Sequence, residues 1–365
     1  MKITILGCGN AFTNLNGNQC FLLEETYEGR TQRMVIDCGY QFQSSLARHN
    51  VAIGSIDCIY ISHLHADHIG GLEYVAFSRY DWATKPRPRT YSQFKNGTAP
   101  TLYCEENLMR DLWNHSLRGG LESMEGFVAN LDTYFRTFPV QVNQPFHWQG
   151  WEMNMIQQIH IMSGAQISYA FGLMASKSGH HTVYFTTDSQ FASPNQVEVF
   201  YEQADIIFQD CEISPFLSGV HANYIELSGR LLKTAKVLPD HIKEKMKLSH
   251  YQDFYNQGKK QVVYNSEHEF YRAPKGCREH VSFVDFDWDQ CAKEDGFDEF
   301  VKPGNVYDTD RYAHIELTED RYPNDPVDVQ DITNKVTDLE ARKAEKAEES
   351  EEEEDGELPD EYNVR

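Results

Sequence analysis

The segment Ser62-His63-Leu64-His65-Ala66-Asp67-His68-Ile69-Gly70-Gly71 constrains this chain more than any other feature. Three histidines and an aspartate follow directly on the apolar run Ile59-Tyr60-Ile61. That run reads as a buried strand, so the histidines begin where a strand breaks into a loop. His63 and His65 are two apart and share one side of an extended chain. Asp67 and His68 are adjacent and can serve a second position. The glycine pair lets the backbone turn tightly. Neutral imidazoles with a carboxylate suit zinc, manganese or iron. Four donors this close together are hard to reconcile with an incidental polar loop.

Later segments supply the rest of a two-cation site. His160 follows a strand-like run over 153–159, ahead of Ser163-Gly164. Asp188 ends the run Val183-Tyr184-Phe185-Thr186-Thr187. A carboxylate at a strand tip points into a cleft, and its two oxygens can bridge two cations. His250 lies within Lys247-Leu248-Ser249-His250-Tyr251. The expected set is His63, His65 and His160 on one cation, Asp67, His68 and His250 on the other, and Asp188 shared. Two cations about 3.5–4 Å apart suit hydrolysis by an activated hydroxide between them. Zinc brings the pKa of its water to about 7.

A second polar cluster is Asp210-Cys211-Glu212 with Ser218-Gly219-Val220-His221. His221 follows a glycine turn and precedes a helical pattern. Oriented by Asp210 or Glu212, it can bind a phosphate oxygen or protonate a leaving group. Asp67, Asp210 and His221 are therefore the candidate catalytic residues. His180 and His181 follow Ser178-Gly179 in a hairpin turn and read as exposed, outside the site.

Composition narrows the partners. The net charge is -23, much of it in residues 331–365, yet the remainder is acidic too. An acidic body repels a long phosphate backbone, which disfavours a nucleic-acid substrate and favours a small phosphodiester or nucleotide. The 8 cysteines are scattered and form no CxxC, the pattern of reduced thiols in a cytoplasmic protein. No signal-peptide pattern opens the chain, and no apolar stretch approaches a membrane span.

Short strand-like runs cover 3–6, 20–24, 34–38 and 59–62, with helical patterns at 43–49 and 71–77. A polar, turn-rich excursion over 79–100 follows, then a strand at 101–103 and a helix over 105–117. A second half repeats the plan, with strands at 153–161, 167–174, 182–186 and 206–209 and helical patterns at 194–203 and 224–237. Strands dominate each half and helices come late, which predicts an α/β fold of two packed sheets with helices outside, an αββα sandwich. We expect one domain over 1–325. Residues 326–365, with four consecutive glutamates and no apolar face, should form a disordered acidic tail.

The HxHxDH motif, His160, Asp188, His250 and the opening Gly7-Cys8-Gly9-Asn10 turn together resemble the metallo-β-lactamase-fold hydrolases. Asp210 with His221 ahead of a helix is similar to the carboxylate–histidine pair of the phosphodiesterase branch. That branch includes the tRNA 3′-end endonucleases and cyclic-nucleotide phosphodiesterases. The resemblance covers residues 1 to about 250 and implies the αββα fold, a dimetal site at one sheet edge, and often a homodimer. The His-Glu-Ala-Thr motif of the endonucleases reads here as Gln209-Asp210-Cys211-Glu212, and only a short basic stretch, 85–95, stands where their arm would be. With the acidic body, both departures favour a small or cyclic phosphodiester over tRNA processing. Lactone or thioester hydrolysis on the same fold, and a non-catalytic scaffold, are the competing readings.

Overall fold

The chain folds as two face-to-face sheets whose strands alternate apolar residues on both sides. The structure is a computed structural model that describes residues 1–80, 99–191, 194–214, 217–229, 238–253, 288–310 and 314–315. The first half supplies β1 (Lys2–Gly7), β2 (Cys20–Tyr27), β3 (Arg30–Ile36), β4 (Cys58–Tyr60) and β5 (Thr101–Glu105). A small ribbon, β6 (Ser123–Met124) and β7 (Phe127–Val128), precedes β8 (Arg136–Val140). The second half supplies β9 (Phe146–Trp148), β10 (Trp151–Ser163), β11 (Gln166–Ser176), β12 (Val183–Phe185), β13 (Ile206–Asp210), β14 (Met246–Ser249) and β15 (Glu299–Phe300). Finally β16 (Val306–Asp308) and β17 (His314–Ile315) return to the first sheet.

The sheet orders are β17-β16-β1-β2-β3-β4-β5-β8 and β15-β14-β13-β12-β11-β10-β9. Each sheet is antiparallel at one end and parallel at the other: β3-β4-β5-β8 and β12-β13-β14-β15 all run parallel. Parallel strands put the loops after them on one edge, and ligands bind outside the carboxyl ends of such strands.

The period-two pattern explains the layering. Phe21, Leu23, Met34, Ile36 and Tyr60 face the layer between the sheets, with Met153, Leu173, Phe185 and Phe208 from the second sheet. Their neighbours Cys20, Leu22, Val35, Ile59 and Ile61 face outward, under α1 (Phe42–Arg48), α2 (Ala66–Ile69) and α3 (Leu72–Arg79). Phe21, Phe185 and Phe208 join the sheets, with ring centroids 5.1 Å apart.

The expected αββα architecture is present, with helices on the outer layers. The helix expected over 105–117 is broken into Glu106–Asp111, a π-helical stretch Leu112–Leu117 and Arg118–Leu121. Strands β8, β9 and β14 to β17 were not legible as strands, because they are only two to five residues long, too short for a period-two pattern to show. Met1–Leu317 forms one compact unit. The excursion at 81–98, the helical pattern beyond Gly229, the boundary near 325 and the acidic tail 326–365 lie outside the described residues. Among the described residues, no helix is long and apolar enough to cross a membrane.

Candidate metal centre

Each candidate donor sits at or just beyond the carboxyl end of a strand, except His160. After β4, residues Ile61 and Ser62 lead to His63, and His65 is the first flanking residue of α2. Asp67 and His68 thus lie on a single helical turn rather than in the loop their spacing implied. His160 occupies a β-bulge: Ile159 pairs with Tyr169 and Ile161 with Ser168, leaving His160 as the extra residue. A bulge re-aims a side chain, and this one is buried toward the cluster. Asp188 follows β12, Asp210 ends β13, and His250 follows β14. Thr187 and His250 have φ of 54° and 67°. Left-handed backbone at a non-glycine residue costs about 1–3 kcal/mol, so the surrounding contacts must hold these turns.

Asp188 lies at the centre. Its Oδ2 is 3.6 Å from His63 Nε2 and 3.7 Å from His160 Nε2. Its Oδ1 is 3.2 Å from His68 Nε2 and 3.3 Å from His250 Nε2. The two oxygens therefore face two different imidazole pairs. Asp67 Oδ2 joins the second pair, 3.4 Å from His68 and 3.5 Å from His250. His65 Nδ1 lies 3.0 Å from His160 Nε2 and completes the first group. The donor atoms of His63, His65, His160 and Asp188 lie within 4.8 Å of one another, as do those of Asp67, His68, Asp188 and His250. This is the division expected from the sequence.

A layer behind these donors orients them. Asp37, with φ 63°, follows β3. Its carboxylate accepts from Ser62 N (2.8 Å), Ser62 Oγ (2.7 Å) and His68 Nδ1 (2.8 Å), which leaves His68 Nε2 facing the cluster. His160 Nδ1 donates to the Val220 carbonyl at 3.0 Å. Such partners fix ring orientation and ligand basicity. Sequence reasoning passed over Asp37; the available signal was a carboxylate inside Val35-Ile36-Asp37-Cys38-Gly39, an apolar run ending in glycine.

The third group is Asp188, Asp210, His221 and His250. Asp210 Oδ2 accepts from His221 Nδ1 at 2.9 Å and from Ser189 N at 2.8 Å, while Oδ1 lies 3.3 Å from His250 Nδ1. Asp210, not Glu212, thus orients His221. Glu212 instead fastens the loop: it accepts from Ser218 N at 3.0 Å and Asn223 Nδ2 at 3.3 Å. His180 and His181 are half-buried rather than exposed, and they approach Asp310 and Asp205, away from the cluster.

The charges divide the imidazoles. Burial, reinforced by His68, holds His63 well below the usual histidine range, and burial takes His160 down to about 4. Both are neutral and offer a lone pair. Burial also opposes protonation of His250, but Asp188, Asp210 and Asp67 overcome it and raise the ring to about 10. Asp188 and Asp210 likewise outweigh burial at His221 and raise it.

The residues fit a pair of divalent cations. Nε2 of His63, His68 and His250 and Oδ1 of Asp188 are buried with no hydrogen-bond partner. Buried polar atoms are ordinarily satisfied. Converging buried polar atoms of imidazole and carboxylate without hydrogen-bond partners are what a cation, taking the place of the ring protons, would satisfy, and this donor set suits zinc, manganese or iron.

Comparison with known proteins places the chain. Residues 1–275 match the family model described as anti-Pycsar protein Apyc1. The chain belongs to the Apyc1 family. The match takes in all the donors and Asp210 and His221, and stops short of β15 to β17. The Apyc1 protein of Paenibacillus harenae is 28% identical over 258 residues, 70% of this chain and 92% of that protein. The Apyc1 protein of Bacillus phage vB_BveM-Goe7 is 30% identical, over 69% of this chain and 89% of that protein. The metallo-β-lactamase-fold protein YhfI of Bacillus subtilis aligns with a TM-score of 0.53 at 17% identity, covering 84% of this chain and 99% of that one. Zinc-bound PqqB of Methylobacterium extorquens aligns with a TM-score of 0.50 at 10% identity, covering 84% and 100%. This Apyc1-family chain therefore has the fold of the metallo-β-lactamase hydrolases.

One glycine of the Apyc1-family chain holds the donor turn in place. A Cβ at Gly39 would lie 2.0 Å from the Asp67 carbonyl oxygen, a contact that only a backbone shift relieves. Gly39→Ala should displace α2 and lower stability by about 1–3 kcal/mol. Its signature should be weaker metal binding at the Asp67–His68 group, read by metal titration beside a thermal melt; wild-type affinity would show that α2 does not depend on this approach.

Proposed function

We propose that this protein is a two-cation phosphodiesterase acting on a cyclic nucleotide. The observation that carries the reading is the Asp210–His221 pair beside Asp188, with His221 Nδ1 3.7 Å from the shared carboxylate. It sets an imidazole that its neighbours favour in the protonated form next to both cation positions. The family description, anti-Pycsar protein, implies cyclic-nucleotide degradation and supports the same substrate class.

In this reading His63, His65 and His160 hold one cation, Asp67, His68 and His250 the other, and Asp188 both. Bound zinc, the first choice for so imidazole-rich a set, supplies Lewis acidity and a water acidic enough to ionise near neutrality. The protein supplies the rest. Asp37 and Val220 hold the imidazoles of His68 and His160 in the ligating tautomer. Asp210 keeps His221 oriented through Nδ1, leaving Nε2 to donate to a phosphate oxygen or to the leaving oxygen. The seven described cysteines are buried and free, which supports a reducing, cytoplasmic setting.

Lactone or thioester hydrolysis would use the same cations but gives the Asp210–His221 pair no anion to meet. A tRNA end requires a cationic surface that the acidic composition does not favour. The test is metal-free protein reconstituted with zinc, manganese or iron(II) and offered purine and pyrimidine cyclic nucleotides, a lactone and a thioester. Cyclic nucleotides should be opened to linear monophosphates only with metal, and His63→Ala should abolish this. Turnover of the lactone or thioester alone would replace the phosphodiesterase reading.

A further inference from the structure

Loop 10–16 connects β1 to β2, and Phe12 at its tip is 86% exposed. A single exposed aromatic on a mobile turn would need no explanation. This one stands on a heavily bonded base. Asp253 Oδ1 accepts from Thr13 Oγ1 at 2.5 Å, Leu15 N at 3.3 Å and Asn16 Nδ2 at 3.2 Å, and its Oδ2 accepts from Asn14 N at 2.6 Å. Asn10 Oδ1 accepts from Phe12 N at 3.0 Å. Gln41 Nε2 donates to the Thr13 carbonyl at 2.7 Å, and the Tyr40 hydroxyl donates to the Ala11 carbonyl.

The same loop is stitched to both segments that carry the Asp67, His68, Asp188 and His250 group. On one side, His250 N donates to the Cys8 carbonyl at 2.7 Å, Gly9 bridges Tyr251, and Asp253 itself lies three residues past His250. On the other, Gln41 N donates to Asn18 Oδ1 at 3.0 Å, and the Tyr40 Cβ lies against Gly70 at the end of α2. Tyr40 is itself 47% exposed. A hydrogen-bonded loop that carries an exposed aromatic side chain is therefore fixed to the edge that holds the donors. The core does not use Phe12, and a loop backbone ordered in advance loses little entropy on binding.

We infer that loop 10–16 is the base-recognition element of the substrate site: the nucleobase stacks on Phe12, with Tyr40 beside it, while the phosphodiester lies at the Asp188 cluster. This rests on the phosphodiesterase reading above and adds the group that recognises the rest of the substrate. Stacking tolerates every base, because each has a π-face, and carries a large share of affinity per base.

The test compares a cyclic nucleotide with the abasic ribose 3′,5′-cyclic phosphate on the metal-loaded full chain, followed by phosphorus NMR. Phe12→Ala should raise KM for the nucleotide about 5- to 100-fold and lower the nucleotide-to-abasic ratio of kcat/KM by the same factor. Phe12→Trp should restore that ratio, which a merely structural role would not do. Metal content, measured in each variant, should stay at the wild-type value. An unchanged ratio in Phe12→Ala, with the wild type active on the nucleotide, overturns the stacking role and leaves the phosphodiesterase standing. No turnover of either substrate by the wild type overturns both.

Discussion

Asp188→Asn should empty both cation positions at once and take phosphodiester turnover to background. Asparagine keeps the shape of the side chain but removes its charge and one of its two acceptor oxygens. Besides His221, four imidazole nitrogens lie between 3.2 and 3.7 Å from the Asp188 oxygens, and the two oxygens divide these four into separate pairs. No other described carboxylate faces both pairs. A partner behind a ligand is worth about 10–100-fold in metal affinity, so Asp37→Asn should weaken only the His68 position by that much. Loss of the shared ligand should exceed it at both. Elemental analysis after dialysis gives the answer: two equivalents in the wild type, close to none in Asp188→Asn. Two retained equivalents with undiminished turnover would remove Asp188 from the centre of the site.

His221→Ala should keep both metals and still lower kcat about 10²- to 10⁴-fold, the usual contribution of a positioned acid or base. His221 donates through Nδ1 to Asp210 and stands outside both the His63–His65–His160 and the Asp67–His68–His250 sets, meeting Asp188 in a third group with Asp210 and His250. The sign of the pH effect follows from its environment. Asp210 and Asp188 overcome burial and raise its pKa above the ordinary histidine value, so it holds its proton to higher pH than a free imidazole and loses it as pH rises. An acid works only while protonated. The wild-type kcat should therefore fall on the alkaline side, and this limb should vanish in His221→Ala. Bis(p-nitrophenyl) phosphate, whose leaving group departs without a proton, should suffer much less than a cyclic nucleotide. Loss of metal in His221→Ala would instead make His221 a ligand.

Much of this site could be read along the chain because its densest part is local. The donors from His63 to His68 are close together in sequence and follow an apolar strand, and that is enough to mark a cation site and the strand end that carries it. The alternation of Phe21 and Leu23 with Cys20 and Leu22 likewise follows from the two-residue period of a strand with apolar layers on both faces. Asp188 and Asp210 lie at the ends of strands that the pattern of apolar runs announces; the short strand ahead of His250 was not announced.

What the sequence determined by itself is therefore the layered α/β plan, the chemistry of the donors and which of them gather into each of the two His/Asp groups around Asp188. Tertiary structure alone decided the rest. That Asp37 stands behind His68, that Asp210 and not Glu212 holds His221, and that a bulge turns His160 inward are outcomes of long-range packing. The strand of His160 and the loop of Val220 are 60 residues apart and meet only once the second sheet, which holds both β10 and β13, has formed. The left-handed backbone at Asp37, Thr187 and His250 has the same origin. None of these three is a glycine, so no local preference announces the turn, and the strain persists because the finished network of buried hydrogen bonds and charges outweighs it.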